Sequence, residues 1–298
     1  MNRPNFLILG ATKCGTTALY EYLGQHPDVC LSRPKEPHFF HAEYEKGLEY
    51  YWTTYYAHWN GETAVGEAHP VKLFLPFVAR RIRASVPDAR LIVILRNPVD
   101  RALSQWWMYR CDGYERLSFP AAIRANLKNL YVGNVFEGEA GARRWKGLLS
   151  SPDLRPHSIR TYLDRGYYAR QLKCYLALFP ASQLKVVLFD DLRRDAATVV
   201  RELWKFLEVD PAAPLGELLP MNPGPTRQMF PVVRLARRLG INELVPRWLV
   251  PRMRYLESVI GSKPKMDPAT RQWLVTHYDP HVRELEELLG RDLSHWRK

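Results

Sequence analysis

The stretch Phe6-Leu7-Ile8-Leu9-Gly10-Ala11-Thr12-Lys13-Cys14-Gly15-Thr16-Thr17 decides the fold of this 298-residue chain. A short apolar run ends at a glycine, a loop follows, and a helical pattern opens with Ala18, Leu19, Tyr22 and Leu23. A strand, a tight loop and a helix whose first N–H groups face that loop make a cradle for phosphate-like anions. Gly10 and Gly15 keep the Gly-x4-Gly spacing of a nucleoside-triphosphatase loop, yet Thr16-Thr17 stands where Lys-Ser/Thr is needed. The lysine precedes the second glycine instead, at Lys13. A magnesium-dependent kinase wants the lysine in the first helical turn and a hydroxyl on the metal, and the shift changes which oxygen the lysine can reach.

A second signal lies at Leu91-Ile92-Val93-Ile94-Leu95-Arg96-Asn97-Pro98-Val99-Asp100-Arg101-Ala102-Leu103-Ser104. A buried-strand run again stops at a polar residue, and Pro98 suits the first helical turn, where its missing N–H costs nothing. Arg96 is thereby predicted at the strand's C-terminal end, with Ser104 about two turns along the following helix. A planar guanidinium can fork onto a phosphate, and a hydroxyl can donate a further bond. The bland reading is a strand–helix turn carrying a surface arginine.

Together these residues carry a family resemblance. Lys13-Cys14-Gly15-Thr16-Thr17 resembles the 5′-phosphosulfate loop of sulfotransferases, which use 3′-phosphoadenosine 5′-phosphosulfate (PAPS). Arg96 and Ser104 resemble the same family's 3′-phosphate motif. His26-Pro27-Asp28-Val29, Lys35-Glu36-Pro37-His38-Phe39-Phe40, Lys46-Gly47-Leu48-Glu49-Tyr50-Tyr51 and Gly66-Glu67-Ala68-His69-Pro70 are similar to the heparan-sulfate-type branch. Asp267-Pro268, Tyr278, Pro280 and Leu293-Ser294-His295-Trp296 fit it more loosely. The resemblance implies an α/β fold with a P-loop-like, mostly parallel β-sheet flanked by helices, carrying helical insertions.

It also implies sulfuryl transfer from PAPS to a hydroxyl, or less readily an amine, of a carbohydrate, glycolipid or secondary metabolite. Lys13 would stabilise charge on the bridging oxygen. Cys14, Gly15, Thr16 and Thr17 would complete the donor loop, and Arg96 and Ser104 would hold the 3′-phosphate. Glu36 corresponds to the branch's catalytic glutamate; His38 and His69 are rival bases, because histidine titrates near neutrality. Lys263, with Arg170 behind it, is the candidate for the adenine side. Glycan-sulfating members carry a lysine just after the Glu67 position, where this chain has Ala68, and that departure weakens the case for a heparan-like acceptor. No metal is expected, since the sulfuryl group carries less charge than a phosphoryl group and no acidic ligands cluster. The competing classes are a kinase-like P-loop protein and a non-catalytic PAPS-binding module.

Composition bounds the rest. Hydrophobic residues at 46% and charged residues at 25% suit a globular enzyme. No run of about eighteen apolar residues predicts a membrane span. The first strand begins by Asn5, which leaves no room for a signal peptide and suggests a cytoplasmic bacterial form. Cys14, Cys30, Cys111 and Cys174 lack paired or metal-like spacing, so free thiols are expected. The net charge of +12 is spread over many segments without a nucleic-acid motif. A polyanionic cofactor explains its sign more economically than nucleic acid.

One domain spanning 1–298 is expected, with strands near 5–10, 64–67, 91–96 and 185–189. Helices are expected over 16–24, 71–85, 98–111, 166–179 and 196–207, and over 268–289 with a break near Pro280. Residues 112–165 and 221–260 read as insertions bordering the acceptor side. Within the second, arginines alternate with apolar residues over 232–256, which suits peripheral contact with an anionic membrane face. A packed helix with snorkelling arginines is the competing reading. Oligomeric state is not legible.

Overall fold

The computed structural model describes residues 4–112, 114–130, 135–150, 159–218 and 263–298. Among these, five strands form one parallel sheet: β1 (Phe6–Gly10), β2 (Val29–Leu31), β3 (Ala64–Ala68), β4 (Arg90–Leu95) and β5 (Leu184–Leu188), in the order β2-β3-β1-β4-β5. Every residue of β1 and β3 is buried, as a parallel sheet covered on both faces requires. Phe6 of β1 lies between Gly66 of β3 and Arg90 of β4. A Cβ at Gly66 would stand 2.5 Å from the Phe6 carbonyl oxygen and 2.6 Å from its ring, so the register of the two strands needs a glycine there.

Ten α-helices among the described residues surround the sheet. They are α1 (Thr16–Leu23), α2 (Gly47–Tyr55), α3 (Pro76–Ser85), α4 (Pro98–Cys111), α5 (Phe119–Lys128), α6 (Gly138–Ser150), α7 (Tyr168–Leu176), α8 (Phe189–Arg194), α9 (Ala196–Phe206) and α10 (Pro268–Leu289). Trp204 of α9 is fully buried and donates its indole N–H to the Leu23 carbonyl at 3.3 Å, which ties α9 to the end of α1. At the other edge, Trp296 donates to Asp190 at 2.8 Å, and its carbonyl accepts from Asn97 at 3.3 Å. The C-terminal turn therefore closes over the junction of β4 and α4.

Two expectations need correction. The 71–85 helix is two pieces, a 3-10 turn (Lys72–Phe74) and α3, because Pro76 cannot donate an N–H into a continuing helix. α10 runs through Pro280 without a break in its helical span. The 112–165 stretch holds α5 and α6, in keeping with helical insertions, with Phe119, Ile123 and Trp145 buried. The three-residue β2 escaped notice because it is too short to show periodicity. The segment 221–260, including the basic stretch 232–256, lies outside the described residues. No helix among the described residues is long and apolar enough to cross a membrane.

At the carboxyl end of β3, Glu67 and Lys72 form an ion pair with both side chains 0% exposed. Tyr51 of α2 also donates to Glu67, and Tyr56 lies 3.3 Å behind Tyr51. The Lys72 ammonium sits 5.5 Å from the Phe40 ring centroid, and the Lys72 carbonyl accepts from Tyr175 of α7 at 2.9 Å. Removing one member strands the other charge in a dry site. Lys72→Met is expected to destabilise the protein by about 3–5 kcal/mol in urea unfolding. The double variant Glu67→Gln/Lys72→Met should recover much of that loss, since no lone charge is left. Equal stability of the two variants would contradict this account.

Candidate active site

Open parallel sheets bind ligands beyond the carboxyl ends of their strands. Here β1 ends at Gly10 (φ +155°), where a Cβ would lie 2.9 Å from Leu73 Cβ and 3.0 Å from the Pro70 oxygen. The loop that follows is thus pressed beneath the His69–Leu73 turn. Lys13 adopts a left-handed backbone (φ 69°), uncommon for a residue with a side chain, and its ammonium reaches Met108 Sδ of α4 at 3.5 Å. Gly15 (φ +101°) caps α1 without any side-chain hydrogen bond, and the first turn of α1 holds no acidic residue. Its leading N–H groups keep their capacity for an anion. Thr16 is buried and Thr17 exposed.

β4 delivers Arg96 to the same end of the sheet. Asn97 caps α4 by accepting the Val99 amide at 2.9 Å, and Tyr168 of α7 donates to the Arg96 carbonyl at 2.9 Å. The Arg96 guanidinium lies 4.8 Å from the Phe189 ring centroid. Ser104 is half-buried on α4. Lys263, far away in sequence, arrives beside them. Burial pushes Lys13 down from its ordinary value; Asp112 opposes this, and Arg96 adds to it. Lys263 is likewise pushed down, first by burial and then by Arg96, with Asp100 opposing and Lys13 adding to the downward push. The structure therefore brings Lys13, Arg96 and Lys263 within electrostatic reach of one another. Asp112 and Asp100 offset part of this positive charge, and the three cations together favour a polyanion between them.

Cys14 faces inward, with its sulfur 3.6 Å from the Tyr168 hydroxyl, and burial pushes its thiol up. Its sulfur is a packing group, and the loop's binding capacity lies in its backbone and in Lys13. Arg170, the weaker adenine candidate, instead lines a cavity of about 710 Å³ with Tyr167, Cys174, His277 and His281, between α7 and α10.

The residues proposed for the acceptor side gather on the other flank of the loop. Glu36 is paired with Lys35 at 2.8 Å, and its side chain is 45% exposed. His38 is exposed, whereas His69 is buried, with its amide on the Ile8 carbonyl at 3.2 Å and its neighbour Pro70 accepting from Thr12 at 3.4 Å. Burial drives His69 well below the ordinary histidine range, with His41 and Lys72 adding to the effect. Lys72 does not take over the role of the lysine that Ala68 replaces, because it is sealed against Glu67.

Two residues escaped the sequence reading. Arg165 is buried, donates to Thr161 at 2.9 Å and to Thr12 at 2.7 Å, and stands behind the loop as a second-layer cation. It lies 153 positions from its partner, and no local spacing marks it. His41 joins His38 and His69, its Nε2 lying 3.1 Å from His38 Nδ1. The His-x2-His spacing was its one available signal.

Comparisons with known proteins bear on this arrangement. The sequence pattern of the sulfotransferase domain matches residues 3–219. The chain is 31% identical to the bifunctional heparan sulfate N-deacetylase/N-sulfotransferase 4 of Mus musculus over 98% of this chain but 31% of that protein. It thus spans about a third of such relatives' length, at 31% for both the mouse protein and human bifunctional heparan sulfate N-deacetylase/N-sulfotransferase 3. It is 24% identical to the membrane-associated sulfotransferase kil1 of Dictyostelium discoideum, over 74% of this chain and 59% of that one. Among solved structures, a sulfotransferase from Alicyclobacillus acidocaldarius is 30% identical, with a TM-score of 0.70 over 100% of both chains.

A polyanion held by Lys13 and Lys263 should bind best while both are protonated. Because both are shifted down, each loses its proton at a lower pH than an ordinary lysine. Calorimetric affinity for 3′-phosphoadenosine 5′-phosphate is expected to be flat at neutral pH and to fall as pH rises through those lowered values. The slope should approach about tenfold per pH unit for each titrating lysine. A flat profile up to the ordinary lysine range would contradict the convergence.

Proposed function

Because the chain belongs to the sulfotransferase family, we propose that it transfers the sulfuryl group of PAPS to a carbohydrate-type hydroxyl or amine. The observation that carries this reading is the gathering of Lys13, Arg96 and Lys263 at the carboxyl ends of β1 and β4. A donor with phosphate or sulfate groups at both ends is matched by these cations. The side chains around Lys13 and Arg96 fit such a donor: an uncapped helix start for one anionic end, and a strand-end guanidinium with the Ser104 hydroxyl for the other. A carbohydrate-type acceptor is supported by the heparan sulfate relatives, whose names state that chemistry for those proteins.

When bound, PAPS supplies a sulfuryl group on a phosphate leaving group. Lys13 neutralises the charge that grows on the bridging oxygen, and the amides of Gly15, Thr16 and Thr17 share it, as fixed donors do elsewhere. Arg96 and Ser104 hold the distal phosphate, while Lys263 flanks the nucleotide. Arg165, through Thr12, keeps the loop in register and adds positive potential from behind. Glu36, paired with Lys35 at 2.8 Å, takes the acceptor's proton. His38 and His69 stand as the other bases on this flank.

The direct test is calorimetric titration with 3′-phosphoadenosine 5′-phosphate in the absence of magnesium, with ATP alongside. Micromolar binding of the bisphosphate and much weaker binding of ATP are expected. The reverse order would favour a kinase-like protein. Lys13→Ala should lower turnover of PAPS with desulfated glycan acceptors by roughly a hundredfold or more, the scale of losing one transition-state donor. Near-normal turnover would remove Lys13 from the chemistry. Glu36→Gln should retain bisphosphate affinity and lose transfer. If His38→Ala or His69→Ala shows that pattern instead, the base is that histidine.

A further inference from the structure

Beside the loop, two imidazoles three residues apart, His38 and His41, meet a third from a distant segment, His69. His38 and His41 flank the start of a π-helical turn (Phe39–Glu43), and His69 leaves the end of β3. One ring nitrogen from each lies within 4.8 Å of the others. His38 Nδ1 and His41 Nε2 are 3.1 Å apart; ring centroids are 4.5 Å apart for His41 and His69, and 5.4 Å for His38 and His69. His41 is 3% exposed and His69 8% exposed, while His38 opens to solvent. We propose that His38, His41 and His69 form a binding site for a borderline divalent transition ion of the zinc, cobalt and nickel class.

Donor chemistry and spacing support this. Three imidazoles are the ligand set that borderline ions accept, and they leave a fourth tetrahedral position for water. Two nitrogens on a tetrahedral zinc at 2.0–2.1 Å are about 3.3 Å apart, so the His38–His41 pair needs only a small adjustment. The neighbouring cations are each matched by a carboxylate: Lys72 by Glu67, Lys35 by Glu36 at 2.8 Å, and Arg81 by Glu139 at 3.6 Å. These pairings reduce the positive field at the cluster without removing it, since Lys72 and Arg81 still disfavour positive charge at His41, and Lys72 and Lys35 at His69.

The same geometry limits affinity. Coordination through His41 Nε2 leaves the proton on Nδ1, which is buried without a hydrogen-bond partner. Coordination through His69 Nε2 moves its proton to Nδ1 and gives up the long 3.4 Å bond from the Val71 amide. Missing outer partners of this kind weaken metal binding by roughly tenfold to a hundredfold each. A dissociation constant in the roughly micromolar range is the consequence, weaker than that of a fully supported zinc centre.

The test uses the full chain, free of any polyhistidine tag and stripped with chelator. Zinc is titrated by calorimetry and cobalt by visible absorption. One equivalent is expected to bind, with an intense tetrahedral cobalt spectrum free of thiolate bands. His38→Ala, at an exposed position, should fold normally and weaken binding by at least about tenfold. His69→Gln should do the same, with its fold checked by thermal melting. Absence of saturable binding would overturn the proposal, as would wild-type affinity in His38→Ala or a cobalt spectrum showing thiolate ligation. None of these readouts depends on the chain's transferase activity.

Discussion

The buried carboxylate of Glu67 is the constraint on which the loop's surroundings depend. It ends β3, accepts from Tyr51 of α2 and pairs with Lys72 of the following turn. Through Lys72 it reaches the Phe40 ring and, by the Lys72 carbonyl, Tyr175 of α7. A charge so far from water is tolerable only when its partners are complete, so these elements are held to one arrangement. The turn fixed in this way presses Pro70 and Leu73 onto Gly10 and sets the entry to the Lys13 loop.

Electrostatic strain is concentrated around that loop. Lys13 and Lys263 are both shifted down by burial and by Arg96, and Arg165 stands behind Thr12 with hydroxyl partners. Holding several cations near one another costs stability in the ligand-free protein and strengthens the field at the point where anions bind. The strands behind the loop, β1 and β4, are almost wholly buried and hold it in place. The acceptor flank follows a different logic. There the cations Lys35, Lys72 and Arg81 each have a carboxylate, and three imidazoles lie together. The two sides of the loop are thus chemically distinct, one built for anions and the other able to take a cation.

Local sequence determined the parallel sheet and the loops at its carboxyl edge. The apolar runs at Phe6–Gly10 and Arg90–Leu95, each ending at a loop followed by a helix, were legible because a fully buried strand must be continuously apolar. Lys13, Arg96 and Ser104 were legible for the same reason, since a strand end followed by a helix start fixes where such residues sit. Pro98 and Asn97 marked the start of α4 by helix-capping chemistry, which acts within a few residues.

Only the tertiary structure decided what depends on contacts between distant segments. The hydrogen bond of Arg165 to Thr12, the sealing of Lys72 against Glu67 and the approach of His69 to His38 and His41 were not contained in any local pattern. α5 and α6 were likewise hidden, because their apolar faces are completed by packing against neighbours. Periodicity and capping are encoded by neighbours in sequence, whereas burial, charge convergence and ligand geometry arise between residues that only chain folding brings together. Sequence therefore set the binding edge of the sheet, and the third dimension set which charges face it.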